Sequence, residues 1–413
     1  MEKTSRLHLF EGYGVELEYM ITDQSSLDVR PIADVLLRNA EGEVEGEMAH
    51  GLTAWSNELV SHVIELKSNG PTGDLVALRD KFVLDVRAIN RQLVTNGAML
   101  MPSAAHPWMN PAKETKLWEH ESQEIYQAYD RIFSCRGHGW SNLQSTHINL
   151  PFYDDEEFAR LHTAIRFMMP MIPALTAASP VLDRKFTGYM DKRLYYYEKN
   201  QSKIPVLTGK VIPEKLFSKY AYQKHVYDRI AAAIKPFDTD HILKPVWLNS
   251  RGAMARFDRG AIEIRIIDIQ ECVSADLAVV ALVTGLVKLL VREKLVRFDV
   301  QETFETEDLY DVFKSCVKSG SAALIQDPTY LSGWGYDQPV TGRQFWADAI
   351  QKVSQALPEY LMPWLETLNQ LNAQGTLAER IMTALNGDFS EEKLKETYSK
   401  LAQCLHQDQL FIP

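Results

Sequence analysis

Residues 13–22 read YGVELEYMIT. Apolar Val15, Leu17, Tyr19 and Ile21 alternate with Glu16, Glu18 and Met20, the pattern of a strand with one face in a core and the other acidic. Side chains two residues apart leave the same side of a strand, so Glu16 and Glu18 share a face.

Three more segments repeat the theme. Residues 57–67 (NELVSHVIELK), bounded by Asn69-Gly70-Pro71, read as a second strand and carry Glu58 and Glu65. Residues 143–150 (LQSTHINL) put Ser145, His147 and Asn149 on one face. Residues 261–268 (AIEIRIID) put Glu263 and Arg265 on one face and Ile262, Ile264 and Ile266 on the other. Glu58 and Glu65 are seven apart, so in a regular strand they point to opposite faces. Both reach one site only if the strand is bulged or ends between them.

One such strand is explained as well by a solvated face as by a site. Several are not, because like carboxylates along and across strands repel. A hard cation removes that repulsion. Mg²⁺ takes oxygen ligands from a few carboxylates plus substrate phosphates, and a His among them also suits Mn²⁺. With Arg265 beside them, these residues point to a nucleotide-phosphate site built on a sheet. The chain contains no GxxxxGK[ST], no HExxH and no GxSxG, so neither a P-loop nor those two hydrolase motifs are present. Gly12-Tyr13-Gly14 begins a GxG, but Leu17 breaks the longer motif and a strand follows it instead of a helix.

Among 413 residues, 44 Lys and Arg against 55 Asp and Glu leave a net charge of −11, which argues against nucleic acid or an anionic membrane as partner. Cys135, Cys272, Cys316 and Cys404 are scattered, with no CxxC, so reduced thiols in the cytoplasm are expected. Residues 1–10 lack the apolar core of a leader. Residues 275–291, interrupted by Lys288, read as a buried helix rather than a membrane span.

Helices are expected at 74–96, 113–134, 155–178 (capped by Asp154, kinked at Pro170 and Pro173) and 214–235. Residues 98–103 and 243–250 are strand candidates. From Ser274 the chain is almost all helix, to 296 and then at 305–318, 343–372, 374–385 and 390–406, with a long non-periodic loop at 319–342. Strands mixed with helices, then a helical last third, predict an α+β fold with a mainly antiparallel sheet. The expected organisation is one interwoven domain at 1–297 with a helical extension at 298–413 packed on it.

Five motifs in order resemble glutamate–cysteine ligase family 2, the carboxylate–amine ligases related to gamma-glutamylcysteine synthetase. They are GVELEY at 14–19, NELVSHVIELKSNGP at 57–71, THINLP at 146–151, ALTAASPVLDRKFTGYMDKR at 174–193 and MARFDRGAIEIRIIDIQ at 254–270. The resemblance implies a glutamine-synthetase-like fold, a curled antiparallel sheet forming a funnel with metal ions and ATP at one end. It implies Glu16, Glu18, Glu58, Glu65, His147 and Glu263 as metal ligands. It implies Arg265 at the transferred phosphoryl group, Arg193 and Arg256 on ATP phosphate or a substrate carboxylate, and Asn149 near the amino-acid substrate. The last third matches poorly: Lys318-Ser319-Gly320 stands where the family often has an arginine before glycine, and the 319–342 loop is a candidate lining for a different acceptor site.

The activity so implied is ATP-dependent amide formation through an acyl phosphate, from the gamma-carboxylate of glutamate and an amino acid or other amine. Glu58 is the candidate general base. Mg²⁺ or Mn²⁺ is the expected metal, and a homodimer the expected assembly. Two other functions stay open: a relative that has lost catalysis and acts as a binding or regulatory protein, and a metal-dependent ATP phosphohydrolase.

Overall fold

The computed structural model describes residues 6–413. Half of the 1–10 stretch expected to lack a leader, residues 1–5, lies outside the described residues.

Eight strands form one antiparallel sheet: β1 (Gly14–Asp23), β2 (Glu47–His50), β3 (Thr53–Asn57), β4 (Val63–Ser68), β5 (Ala98–Met101), β6 (Ser145–Pro151), β7 (Ala253–Arg256) and β8 (Ala261–Asp268). Their order is β2-β3-β4-β1-β6-β8-β7, with β5 pairing the far end of β1. The sheet is open, with β2 and β7 at its edges. The fold is therefore α+β, as the strand and helix order predicts.

Alternation positions β1. Val15, Leu17, Tyr19 and Ile21 are wholly buried and join Ile64, Leu66, Ile148, Leu150, Ile262 and Ile264 in the core. Each large aliphatic side chain buried this way contributes about 1.5–3 kcal/mol. Helices cover this face. Leu75–Val94 starts where the Asp74 carboxylate accepts from the Val76 and Ala77 amides, and a left-handed Gly97 follows its end. Val273–Val291 is the one helix among the described residues long and apolar enough to cross a membrane, and it is mostly buried inside the protein.

Several expected elements differ. Residues 57–67 are not one strand: β3 ends at Asn57, a tight loop holds Glu58 to His62, and β4 starts at Val63. Residues 243–250 are not a strand. Pro245, with its preset φ and missing N–H, opens a short helix Pro245–Leu248, and the partner of β8 is β7 instead. The 155–178 helix is broken outright: Asp155–Met168 is α-helical, and Pro170 and Pro173 start separate short turns. Pro358 and Pro363 break 343–372 in the same way. The 113–134 segment holds two helices, Pro111–Glu114 and Gln123–Phe133, and the 214–235 helix begins only at Lys219.

The 319–342 loop carries structure of its own. Leu324–Ile325 pairs with Val340–Thr341, and a helix spans Pro328–Trp334. The Trp334 ring stacks on Phe167 at 4.5 Å and the Tyr330 hydroxyl donates to the Phe167 carbonyl at 2.9 Å. Its aromatic residues therefore go into core packing.

Candidate metal and nucleotide site

On the face of the sheet opposite the core, register sets neighbours. Glu16 lies opposite Lys67 of β4 on one side and His147 of β6 on the other. Glu18 lies opposite Glu65, and Glu263 opposite Asn149. Paired residues in an antiparallel ladder share a face, so these side chains converge. Gly14 makes this close approach feasible: a Cβ there would lie 2.9 Å from the Asn149 Cβ.

His147 sits at the centre. Its Nδ1 is 2.8 Å from Glu16 Oε2 and 3.9 Å from Glu263 Oε1, and its Nε2 is 3.7 Å from Glu18 Oε1. Ser145 donates to Glu18 from its amide at 2.7 Å and its hydroxyl at 3.0 Å, and the Asn149 amide donates to Glu16 at 3.0 Å. Glu65 accepts from the Ser56 hydroxyl at 2.7 Å and lies 3.4 Å from the Lys67 ammonium.

Burial and charge oppose each other here. Burial pushes the Glu16 carboxyl up, but the His147 imidazole bonded to it, with Arg265 and Lys67 near, holds it at about 2. Burial pushes His147 down, but the Glu16 hydrogen bond and the Glu18 charge raise it to about 9. Burial and then the Glu16 charge raise Glu65 to about 7 against Lys67 and Ser56. Burial, then Glu18 and Glu65, raise Glu58 well above the usual carboxylate range.

Two groups among the described residues have donor atoms within 4.8 Å of one another: Glu16, His147 and Glu263, and Glu18, Glu65 and His147. The His147 ring stands between the carboxylates, which is where a cation would compensate them. The oxygen-rich donor set with one imidazole fits Mg²⁺ or Mn²⁺. Glu58 belongs to neither group. Because the strand ends between Glu58 and Glu65, the parity conflict vanishes, and Glu58 comes near the cluster from the β3–β4 loop.

Arg265 is positioned by a bulge. Ile264 pairs with Ile148 but Ile267 with Thr146, so one extra residue of β8 is accommodated there. Arg265 pairs with Glu263, and Arg256 lies 3.5 Å from the same carboxylate while also holding Asp258 at 3.0 Å.

Arg193 is neither exposed nor aimed into an open site. It is buried in an ion pair with Asp268, and its Nη1 and Nη2 donate to the Arg265 carbonyl at 3.4 Å. These contacts tie Arg193 to the end of β8.

Sequence parity carries a signal for Lys67, which shares a strand face with Glu65. It carries none for Asp268, whose even parity matches core-facing Ile262 and Ile264. Only the bulge swings Asp268 opposite Ser145, onto the site face. Cys135 is buried and its thiol is pushed up, so nothing favours it as a nucleophile.

The model of glutamate–cysteine ligase family 2 matches residues 13–395. An uncharacterised protein of Archaeoglobus fulgidus is 29% identical over 399 residues, 97% of this chain and 100% of its own. Among solved structures, a bifunctional glutathione synthetase from Pasteurella multocida aligns with a TM-score of 0.63 at 11% identity, covering 96% of this chain and 52% of that one. This chain thus spans about half the length of that bifunctional protein. The glutamate–cysteine ligase of Francisella tularensis, solved in complex with AMP, aligns at 0.55 and 10% identity, covering 97% and 89%. At those identities the structural likeness shows a shared fold. The family match over nearly the whole length shows more: the chain belongs to glutamate–cysteine ligase family 2.

Proposed function

We propose that the protein is an ATP-dependent ligase joining a carboxylic acid to an amine through an acyl phosphate. The observation that carries this is the convergence of Glu16, Glu18, Glu65 and Glu263 on His147, edged by Arg265 and Arg256. Family membership supports the reaction class, and the AMP in the Francisella ligase supports a nucleotide on this fold.

Carboxylates resist amines because they are poor electrophiles. In the proposed reaction a carboxylate oxygen bonds to the gamma-phosphorus of ATP, the bridging P–O bond breaks and ADP leaves. The amine nitrogen then bonds to the acyl carbon, the C–O bond to phosphate breaks, and the nitrogen gives up a proton. Mg²⁺ or Mn²⁺ bound by the carboxylates supplies charge neutralisation on the phosphates. Glu16, Glu18, Glu65 and Glu263, with one nitrogen of His147, would hold the metal. Arg265, partly exposed at the edge of the cluster, stabilises the transferring phosphoryl group, and Arg256 holds an anionic group beside it. Asn149 orients Glu16 and borders the acid. Glu58, in the loop between β3 and β4, takes the proton from the amine. The proposed acid is the gamma-carboxylate of glutamate, and the proposed acceptor is an amino acid or other amine.

The test is phosphate release from ATP and Mg²⁺, with and without L-glutamate, across amines including L-cysteine. Release that needs both acid and amine, lost in Glu16→Gln, supports the ligase. Equal release without either favours hydrolysis. No release, with no nucleotide-dependent thermal shift, favours a binding role.

A further inference from the structure

Lys67 brings a positive charge onto the acidic face of the sheet. It shares a face of β4 with Glu65 and lies opposite Glu16 of β1. Its ammonium is 3.4 Å from Glu65 Oε1 and 2.6 Å from Glu47 Oε2. Glu65 belongs, with Glu18 and His147, to one of the two groups of converging donors, and Glu47 belongs to neither.

Glu47 stands on the edge strand β2, with β3 between it and β4. Ser56 of β3 lies between Glu47 and Glu65, and Ala54 lies between Ala49 and Lys67. These short side chains on β3 let the lysine reach across the strand to Glu47. The three charged groups differ in freedom: the Glu65 side chain is 9% exposed, Lys67 25% and Glu47 53%. The ammonium thus has a buried carboxylate of the cluster on one side and a solvated one on the other. The solvated one lies away from Glu16 and Glu18.

A divalent ion held by Glu65 and an ammonium 3.4 Å from the same carboxylate repel, so the two compete for it. We infer that Lys67 sets the metal affinity of the cluster. It is a resident cation on Glu65, and Glu47 takes it over when Glu65 turns to a divalent ion. Glu47 therefore acts on metal binding only through Lys67. This inference rests on the metal assignment made with the ligase function above, and not on the reaction itself.

The test is calorimetric titration of the full chain with Mn²⁺ alone, without nucleotide. Lys67→Met is expected to bind Mn²⁺ about tenfold tighter than the parent, because the competing charge is gone. Glu47→Gln is expected to bind it about threefold more weakly, because the ammonium then rests on Glu65. Lys67→Arg keeps the charge and is expected to stay within about twofold of the parent. In the double variant, Glu47→Gln is expected to add nothing to Lys67→Met. Equal weakening by Glu47→Gln in both backgrounds would mark a plain loss of charge and overturn the inference. So would a Lys67→Met protein that binds Mn²⁺ no tighter than the parent, including one in which neither binds. Should Lys67→Met fail to fold, the other two variants decide: weaker binding in Glu47→Gln with parent-like binding in Lys67→Arg supports the role, and parent-like binding in Glu47→Gln overturns it. Amide formation by the parent is assayed alongside. Mn²⁺ affinities that shift as expected in a protein that makes no amide leave the role of Lys67 standing and remove the ligase function. Amide formation with unshifted affinities does the reverse.

Discussion

Arg193 and Asp268 form an ion pair closed to solvent on both sides, with side-chain exposures of 1% and 0%. Asp268 also accepts from the Ala178 amide at 2.7 Å and the Ser179 hydroxyl at 3.0 Å. One carboxylate thus joins the 174–179 segment, the helix Lys192–Tyr197 and the end of β8. Removing one partner of such a pair strands the other charge in the interior. Arg193→Met is expected to cost about 3–5 kcal/mol in urea unfolding. An unchanged midpoint with a raised KM for ATP would show instead that Arg193 serves the ligand.

Glu16→Gln and Glu263→Gln each remove one negative charge from the Glu16–His147–Glu263 group. The parent is expected to gain about 2.7 kcal/mol of stability at a Mg²⁺ or Mn²⁺ concentration near 100 times its dissociation constant. Both variants are expected to lose that gain, and chelation of the metal is expected to abolish amide formation in the parent. Thermal melts with and without metal check this. A parent indifferent to both cations would remove the metal assignment.

Arg265→Lys keeps the charge but loses the planar fork that faces Glu263 and a phosphoryl group together. Its kcat is expected to fall about 100-fold, as measured by phosphate release under saturating ATP.

Gly252 accepts the Arg265 amide on its carbonyl at 2.8 Å. A Cβ there would lie 2.5 Å from Ile266 Cγ2 and 2.9 Å from Met169 and Val211 side-chain carbons. Gly252→Ala is therefore expected to cost about 1–3 kcal/mol through overpacking. Because the strain falls on the bulge that aims Arg265, kcat should fall as well. Paired denaturation and rate measurements check both.

His62 and His106 are buried and neutral. Burial lowers each from 6.5 to about 4. His106 pairs through Nε2 with the Leu27 carbonyl at 2.8 Å, and its Nδ1 accepts from the Trp108 and Met109 amides at 3.3 and 3.0 Å. That arrangement allows one proton only. Between pH 6.5 and 4 the unfolded chain binds more protons than the folded one, so stability falls as pH drops through that window and is complete above it. Each residue accounts for about 3 kcal/mol by about pH 4. Urea unfolding against pH measures the slope, and His162→Phe, which removes a third imidazole lowered to about 3, should flatten it.

Much of the site was legible because a strand displays its period directly. Glu16, Glu18, His147, Asn149, Glu263 and Arg265 each lie on the acidic face that their alternation predicts. The legible part stopped at irregularities. Residues 57–67 alternate well enough to pass for one strand, yet the chain turns at 58–62. Tyr330 and Trp334 sit in a stretch with no clear period, and only their partners, Phe167 and Phe304, show that they are core.

Residue order was enough to tell which strands carry carboxylates and which face each occupies, because face and charge follow from spacing and side-chain chemistry. Folding in three dimensions was needed to say which of those strands are neighbours, that Glu58 and Glu65 approach one cluster from two sides of a turn, and that a bulge brings Asp268 to Arg193. Those outcomes depend on strand pairing, and pairing is set by the burial of the whole apolar face against its helices rather than by the residues that the site uses.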